Sequence, residues 1–358
     1  METNLSTGNA NFVYMSLGAI MRLILLPFSW IYGGIVHLRN IAFDFGFLKS
    51  LRIPGKSISI GNLSVGGTGK SPHTLYINQL LKPEFQTAIL SRGYGRKTKG
   101  LRWAKKNDRP SIIGDEPKMF QTLSPEPPIV VAEKRVLGVN SIREELDPST
   151  VILLDDAFQH RYVRPGYQVL LTDYNKPFFE DHVLPAGRLR EFRKGYKRSD
   201  MVVLTKCPPN LTTEEQNLLV QRINHSNVHF SYFEYDELKA FHENALYSKG
   251  KKCLLVCGIA QPEPLINELQ KEHYVETLLF SDHHPFGEAE IGRVREKFGN
   301  FADDDKMIVI TDKDAVKWVE MRDKGWLNDL PIYVQSIKVK FYNEDKFKKN
   351  ILQYVRKV

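Results

Sequence analysis

The sequence predicts an α/β protein: a larger domain built on a parallel sheet, a second, smaller α/β domain, and an apolar helix at the amino terminus. Three observations carry this. Short apolar runs alternate with helical patterns along most of the chain, a glycine-rich turn ending in Lys-Ser follows the first of those runs, and a nearly uncharged segment precedes it. The 358 residues suffice for two domains at ~150 residues each. With 42% hydrophobic and 26% charged residues the composition is that of a globular protein, which excludes disordered, collagenous and polytopic membrane classes. Lys and Arg number 50 against 42 Asp and Glu, and the resulting +8 favours anionic partners. Cys207, Cys253 and Cys257 cannot form a disulfide framework. They also include no CxxC pair for structural zinc, so a reducing compartment fits best.

From Thr3 to Met21 there is no charge, Arg22 interrupts, and residues 23–36 are again uncharged. As a helix this second stretch would span roughly 21 Å, short of the ~30 Å hydrocarbon core of a bilayer. Glu2 stands where a signal peptide would be basic, and no A-x-A-like site follows. The segment therefore reads as an interfacial helix over about residues 10–38. Arg22, His37 and Arg39 would lie near headgroups, with Trp30 and Tyr32 as anchors. Pro27 and the Gly33–Gly34 pair are expected to kink it. The competing reading is a buried first helix of a soluble domain.

Strands are predicted at Ser57–Ile60, Thr87–Leu90, Ile129–Val131, Val151–Leu154, Gln168–Leu171 and Met201–Leu204, each apolar enough to be buried on both faces of a parallel sheet. A helix at Thr213–Ile223 closes this half, which sets the first domain at 1–223. An aromatic-rich extended segment, Val228–Tyr235, falls in an expected linker over 224–245. The second domain, 246–358, is predicted to hold strands Cys253–Val256, Glu276–Phe280, Met307–Ile310 and Ile332–Ser336. Its helices are expected near Glu263–Lys271, Glu288–Lys297 and Asp314–Asp323, and the basic stretch Lys338–Val358 also reads as a helix.

The sharpest motif is ISIGNLSVGGTGKS at residues 58–71. In the loop Ser64-Val65-Gly66-Gly67-Thr68-Gly69, the glycines permit conformations that aim N–H groups at phosphate oxygens. Lys70 neutralises phosphate charge, and Ser71 can ligate Mg²⁺. Ser64 stands where the strict GxxxxGK[ST] pattern has glycine. The alternative is a strand-to-helix turn that binds nothing, but the strand before and the helix after favour a P-loop NTPase-like domain. Such a domain needs a carboxylate for the cation at a neighbouring strand end, and Asp155 and Asp156 follow the apolar run Val151–Leu154. Other motifs stand where strand ends should fall. LSRGYGR offers Arg92 and Arg96 to phosphate, GDEP sets Asp115 at a helix start, LPAGRLRE opens a basic stretch from Arg188 to Arg198, and SDHHP follows a strand of the second half.

Taken together, SVGGTGKS, LSRGYGR, GDEP, DDAFQH, LPAGRLRE, CGIAQP, FSDHHPF and TDKDAVK, in this order, resemble the tetraacyldisaccharide 4'-kinases, the lipid A kinases of Gram-negative envelope synthesis. The resemblance implies ATP and Mg²⁺, a P-loop fold with two α/β domains, and a peripheral or monotopic position on the cytoplasmic face of the inner membrane. It also implies transfer of the γ-phosphoryl group to the 4'-hydroxyl of a tetraacylated glucosamine disaccharide 1-phosphate. Residues 64–71 would then cradle ATP, and Asp155 and Asp156, with Ser71 and Gln159, would hold the metal. Asp115 resembles the family's general base and His283 its partner. Tyr94, His160, Arg190 and Glu191, joined by Arg92 and Arg135, would contact the disaccharide and its phosphate. Ala157 departs from the family's DDGFQ, and Arg188 and Phe192 depart from its LPAGPLREP.

The partners implied are the lipid A disaccharide precursor and the inner-membrane lipid surface, with no nucleic acid. A nucleic-acid-binding ATPase would place its basic residues on a periodic helix or beside stacking aromatics, whereas here they flank glycine and proline loops. A nucleotide-hydrolysing membrane assembly factor or switch is the alternative from another class. It has no need of an Asp–His pair, and neither Thr205-Lys206 nor Thr311–Asp314 forms an NKxD base-reading motif.

Overall fold

The structure, a computed structural model, describes residues 7–242, 252–301 and 305–357, with side chains from Met21 onward. Residues 243–251, where the expected linker gives way to the second domain, lie outside the described residues. Among the described residues the principal element is a nine-stranded sheet. Its order is Ile337–Phe341, Val228–Tyr235, Met201–Thr205, Tyr167–Asp173, Ser57–Asn62, Val151–Asp155, Thr87–Ser91, Ile129–Val131 and Arg102–Trp103. Every pairing is parallel except the outermost one at each edge. Parallel strands covered on both faces have no solvated side, which is why Ser57–Asn62, Val151–Asp155 and Met201–Thr205 are buried at every position. One face carries Leu75, Ile77, Leu81 and Phe120; the other is covered by Val139 and Ile142 and by Phe178 and Leu189.

Several strands run past their apolar cores by one or two polar residues at the carboxyl edge, to Asn62, Ser91, Asp155, Asp173 and Thr205. The ladder does not stop where hydrophobicity does, because backbone N–H and C=O groups make it and polar residues carry those too. The second unit is a five-stranded sheet in the order Lys239–Ala240, Ile332–Gln335, Lys306–Thr311, Lys252–Cys257, Tyr274–Leu279, parallel but for its first pair. Helices Glu263–Leu269, Glu288–Gly299 and Asp312–Asp323 accompany it.

Two expectations are corrected here. Val228–Tyr235 is a strand of the large sheet rather than a connector, parallel to Met201–Thr205 and antiparallel to Ile337–Phe341. The carboxyl-terminal stretch is not one helix of the second domain. Ile337–Phe341 is a strand, the helix is Glu344–Lys357, and both belong with the first sheet. Val339 and Phe341 are buried at a spacing of two, and Phe347, Ile351 and Val355 at a spacing of four. The many lysines between them lie on the solvent side and hid that pattern. Tyr354 locks the helix in place: its hydroxyl donates to Ser57 O (3.1 Å) and accepts from Ser57 N (3.2 Å) on the strand that leads into the phosphate loop. The chain thus crosses between the units twice. The crossings are tied together, since Asp236 N donates to Ser336 O (3.0 Å) and the Gln335 amide donates to Asp236 O.

The amino-terminal helix, Thr7–Asp44, is continuous through Pro27 and Gly33–Gly34. Over residues 21–44 it is not a buried helix: there a narrow strip, marked by Ser29, Gly33, Asn40 and Phe43, faces the first unit. Ser29 Oγ accepts from Ala186 N (2.9 Å), and a Cβ at Gly33 would lie 2.6 Å from Phe192 Cζ. The other side exposes Leu23, Ile24, Trp30, Ile31, Ile35 and Leu38, each 63–68% accessible, followed by Phe45 and Phe47. Met21–Asp44 is long and apolar enough, by length and composition, to cross a membrane.

Because Ile351 is fully buried against the phosphate-loop sheet, Ile351→Ala should cost about 2–5 kcal/mol. Urea unfolding would measure the loss, and amide exchange at Ile58 and Ile60 would show it falling on the first unit.

Candidate active site

The phosphate loop leaves Ser57–Asn62 at a reversal of strand order. Its helix, Lys70–Leu81, leads to Thr87–Ser91, which lies beyond Val151–Asp155. Such a switch point leaves a crevice at the carboxyl ends of the strands. Gly66 (φ 103°) and Gly69 (φ 82°) adopt the left-handed conformation that turns the loop. His73 Nδ1 donates to Gly69 O (2.7 Å), while Nε2 meets Ser231 Oγ (3.0 Å). Burial pushes the His73 pKa down to about 4, so the ring is a neutral strut. Ser64 needs no glycine, because the chain is still strand-like there: Ser64 bridges Leu189, and Val65 N donates to Arg188 O (2.8 Å).

Asp155 stands opposite Ile60 on the neighbouring strand and is 1% exposed. Its Oδ2 accepts from Ser91 Oγ (3.2 Å), and its Oδ1 is buried without a hydrogen-bond partner among the described residues. Burial, and then the nearby Glu116 and Asp156, push its carboxyl well above the usual carboxylate range. Asp156, at φ 45°, turns outward, 3.7 Å from Lys70 Nζ and 3.4 Å from Arg190 Nη1. Arg190 also donates to Gln159 Oε1 (3.3 Å), and the Gln159 amide donates to Asn62 O. An unpaired buried carboxylate oxygen beside a second carboxylate is the donor set of a hard divalent cation, and it fits Mg²⁺.

On the far side of the crevice, two glycine loops interlock. A Cβ at Gly114 (φ 99°) would lie 2.9 Å from Gly93 C, and one at Gly93 (φ 69°) would lie 2.7 Å from Ile113 O. This close approach packs LSRGYGR against GDEP and leaves Asp115 on the first turn of the helix Asp115–Leu123. Asp115 Oδ2 lies 3.2 Å from His283 Nδ1 of the second unit and 3.5 Å from Lys317 Nζ. Burial alone would raise the Asp115 pKa, but the His283 hydrogen bond and the Lys317 charge outweigh it and hold the carboxyl low. His283 Nε2 lies 3.1 Å from Lys313 Nζ. An ammonium can only donate, so Nε2 accepts and Nδ1–H points at Asp115.

The other predicted residues divide into two groups. Arg92 and Tyr94 are exposed at the cavity wall, and the Tyr94 ring packs edge-on to His283 at 5.2 Å. Arg135 is buried and donates to Ala132 O (2.7 Å) and Asp155 O (3.2 Å); burial lowers its pKa to about 10, so it stays charged. His160 Nε2 accepts from Arg135 N (3.3 Å), and burial, then the charges of Arg135 and Arg92, push its pKa to about 4. Glu191, in contrast, has its carboxylate taken by Arg198 (2.8 and 2.9 Å) and by Asn40 of the amino-terminal helix (2.8 Å). Arg96 is not free for phosphate either, since Glu133 and Gly100 O hold its guanidinium.

The departures from the expected loop also have partners. Arg188 pairs with Asp181 (2.8 Å), and Phe192 covers Gly33 and His37. Sequence reasoning missed Lys206, whose ammonium joins Gly67 O, Asp173 (3.0 Å) and Gln261 of the second unit. It also missed Lys313 and Lys317, although TDKDAVK was in view. A cavity of about 1350 Å³ connects these parts, from Tyr32 and Asn40 past Gly66–Ser71 to His283 and Lys313. Asp115 is not in its lining, and its side chain keeps 18% exposure.

A phosphate loop at the switch point of a parallel sheet, faced across one cavity by a second α/β unit, defines a two-unit P-loop enzyme. Within that class the chain belongs to the family described as Tetraacyldisaccharide-1-P 4'-kinase, which matches residues 21–356. It is 39% identical over 355 residues to a tetraacyldisaccharide 4'-kinase from Bacteroides thetaiotaomicron, with 93% of each chain covered. It is 41% identical over 345 residues to one from Flavobacterium psychrophilum, covering 94% of this chain and 97% of that one. The fold is similar to that of LpxK from Aquifex aeolicus crystallised in complex with ATP: TM-score 0.72, 29% identity, 94% of this chain and 99% of that chain.

Among the described residues the one ion pair of Lys70 is with Asp156, at 3.7 Å, and Lys70 belongs to none of the hydrophobic clusters. Lys70→Ala should therefore leave the melting temperature nearly unchanged while weakening ATP binding at least tenfold, as isothermal titration would show.

Proposed function

We propose that this protein transfers the γ-phosphoryl group of ATP to the 4'-hydroxyl of a tetraacylated glucosamine disaccharide 1-phosphate. Asp115 acts as general base and His283 as its partner. The observation that carries the reading is the 3.2 Å contact between these side chains, 168 positions apart and on different units. Phosphoryl transfer has a loose transition state, so the protein mainly positions groups and neutralises charge. The backbone N–H groups of residues 66–71 and the Lys70 ammonium receive the phosphates. Asp115, held ionised, takes the proton of the sugar hydroxyl. His283 Nδ1–H orients that carboxylate, and Lys313 at Nε2 fixes the tautomer. Mg²⁺ held by Asp155 and Asp156 with Ser71 would neutralise charge on the phosphate oxygens. Arg190, Arg135, Arg92, Tyr94 and His160 gather on the acceptor side, and Glu191 serves that side by anchoring Asn40. Two units meeting over ATP exclude water and suppress hydrolysis.

The acceptor's acyl chains explain the amino-terminal helix. Its inner strip is bonded to the first unit from Ser29 to Asn40, and its outer side is apolar and exposed. A helix held along the body in this way supports a position in the membrane interface, on the cytoplasmic face of the inner membrane, rather than a crossing.

The direct test is incubation with ATP, Mg²⁺ and the tetraacyl disaccharide 1-phosphate, followed by mass spectrometry for a product one phosphate heavier. Asp115→Ala should lower kcat about 10²–10⁴-fold with ATP affinity retained. The Asp115→Ala/His283→Ala double variant should be little worse than the poorer single one, because the pair acts as a unit. A nucleotide-driven switch has no acceptor to deprotonate, so intact ATP turnover in Asp115→Ala, His283→Ala and the double variant would favour that alternative. The membrane reading has a separate check. Ile31 and Ile35 are 64% and 63% exposed, so Ile31→Glu/Ile35→Glu should release the folded protein from liposomes. Full co-sedimentation of that variant would remove the interfacial assignment.

A further inference from the structure

The segment TDKDAVK, residues 311–317, supplies more than the Lys313 that meets His283: its Lys317 also lies against the Asp115–His283 pair. It opens the helix Asp312–Asp323, which packs on the helix Asp115–Leu123 of the other unit. Asp314 is fully buried: its Oδ2 accepts from Thr311 Oγ1 (2.8 Å) and Gly258 N (3.2 Å), and its Oδ1 has no hydrogen-bond partner among the described residues. Lys317 Nζ lies 3.7 Å from that oxygen and 3.5 Å from Asp115 Oδ2, and it donates to His284 O (3.2 Å). The Lys317 side chain is only 7% exposed. One turn earlier on the same helix face, Lys313 meets His283 Nε2 (3.1 Å) and Asp282 (2.6 Å).

A buried ammonium is costly unless carboxylates and acceptors surround it. Asp314 supplies a carboxylate from the lysine's own helix, but the other, Asp115, comes from across the seam between the units. At this burial the Lys317–Asp115 attraction is little screened by solvent, in contrast to an exposed pair. The lysine is therefore fixed by one unit and reaches the carboxylate of the other.

We propose that Lys317, anchored by Asp314, is a positioning residue that holds the Asp115 carboxylate in place across the seam between the two units, while Lys313 holds His283. The proposal rests on the reading of Asp115 as the base. It assigns Lys317 an effect on the chemical step that passes through Asp115 alone, with none on nucleotide binding.

The test is the kinetics of lipid phosphorylation by the full chain, with ATP affinity measured separately. Misplacing a reacting group by about 1 Å can cost on the order of 10²-fold. Lys317→Gln should accordingly lower kcat about tenfold to 10²-fold, with the KM for ATP unchanged. In an Asp115→Ala background the same change should have almost no further effect, whereas a merely structural role would depress both backgrounds alike. Lys317→Gln leaves Asp314 buried without its cation and could impair folding. The double variant Asp314→Asn/Lys317→Gln removes both charges and should show the same loss of kcat with a near-native melting temperature. Wild-type kcat in the double variant, or an equal fractional loss with and without Asp115, would overturn the proposal. If Asp115→Ala itself turns over normally, the base assignment falls and this proposal falls with it. If Asp115→Ala is impaired and Lys317→Gln is not, only the role of Lys317 falls.

Discussion

A fully buried carboxylate, Asp155, with one oxygen unpaired among the described residues, sets the terms for the rest of the site. Such a group is expensive in a protein interior, and the surrounding residues read as responses to it. Arg135 is buried beneath it and donates to its backbone carbonyl, while Ser91 supports Oδ2. Lys70 and Arg190 converge instead on Asp156, whose left-handed backbone points that carboxylate away from its neighbour. Cations therefore outnumber what Asp156 needs, while Asp155 keeps an oxygen with no donor among the described residues. This imbalance suits a polyanionic ligand that arrives with a divalent cation. Strain collects at the same place: of the four non-glycine residues with positive φ among the described residues, Asp156, Lys206 and His283 all line the cavity.

The second constraint is topological. If the chain passed once from the first unit to the second, the two could move apart on a single tether. It passes twice, at Asp236 and at Ser336, and the two passages are hydrogen-bonded to each other. The returning strand and the helix Glu344–Lys357 then complete the core under the phosphate-loop strand, where Tyr354 grips both backbone groups of Ser57. The second unit is in effect an insertion within the first. Contacts across the seam, such as His283 with Asp115 and Gln261 with Lys206, are made by a unit anchored at two points.

Much of this was legible in the residues, for identifiable reasons. Buried parallel strands announce themselves as short apolar runs, so every such run from Ser57 to Met307 proved to be a strand. The glycine-rich loop and the acidic pair are local signals, a few consecutive residues each, and the fold sets both at the cavity by the carboxyl edge of the large sheet. What escaped was either non-local or masked by composition. The strand Ile337–Phe341 alternates lysine with apolar residues at an edge, and a count of basic charges obscured the period of two. Glu191 read as a ligand contact, because nothing near it in sequence reveals that Arg198 and Asn40, the latter 151 positions away, occupy its oxygens. Lys317 lay in a motif already noticed, but its partner Asp115 is about 200 residues distant, and only the fold brings the two together.

Arg188 and Phe192 lie in a loop that joins two parts of the protein. The loop around residues 183–192 has two edges. On one it is stitched to the phosphate loop: Val65 N donates to Arg188 O (2.8 Å), Arg190 N donates to Leu63 O (2.7 Å), and Ser64 bridges Leu189. On the other it holds the amino-terminal helix through Ala186 with Ser29, Tyr32 with Arg190 O (3.2 Å), Phe192 with Gly33, and Glu191 with Asn40. Phe192 fits because Gly33 has no side chain, and Arg188 is tolerated because Asp181 neutralises it. One short segment therefore ties the apolar helix to the loop that receives phosphate. The attachment to the phosphate loop is made by backbone groups, whereas the attachment to the helix pairs the Ala186 and Arg190 backbone with the Ser29 and Tyr32 side chains and adds Phe192 and Glu191. An acceptor whose acyl chains lie along the exposed face of that helix would have its headgroup set at a defined distance from the nucleotide, so that binding a lipid surface and orienting a sugar hydroxyl become one geometric problem.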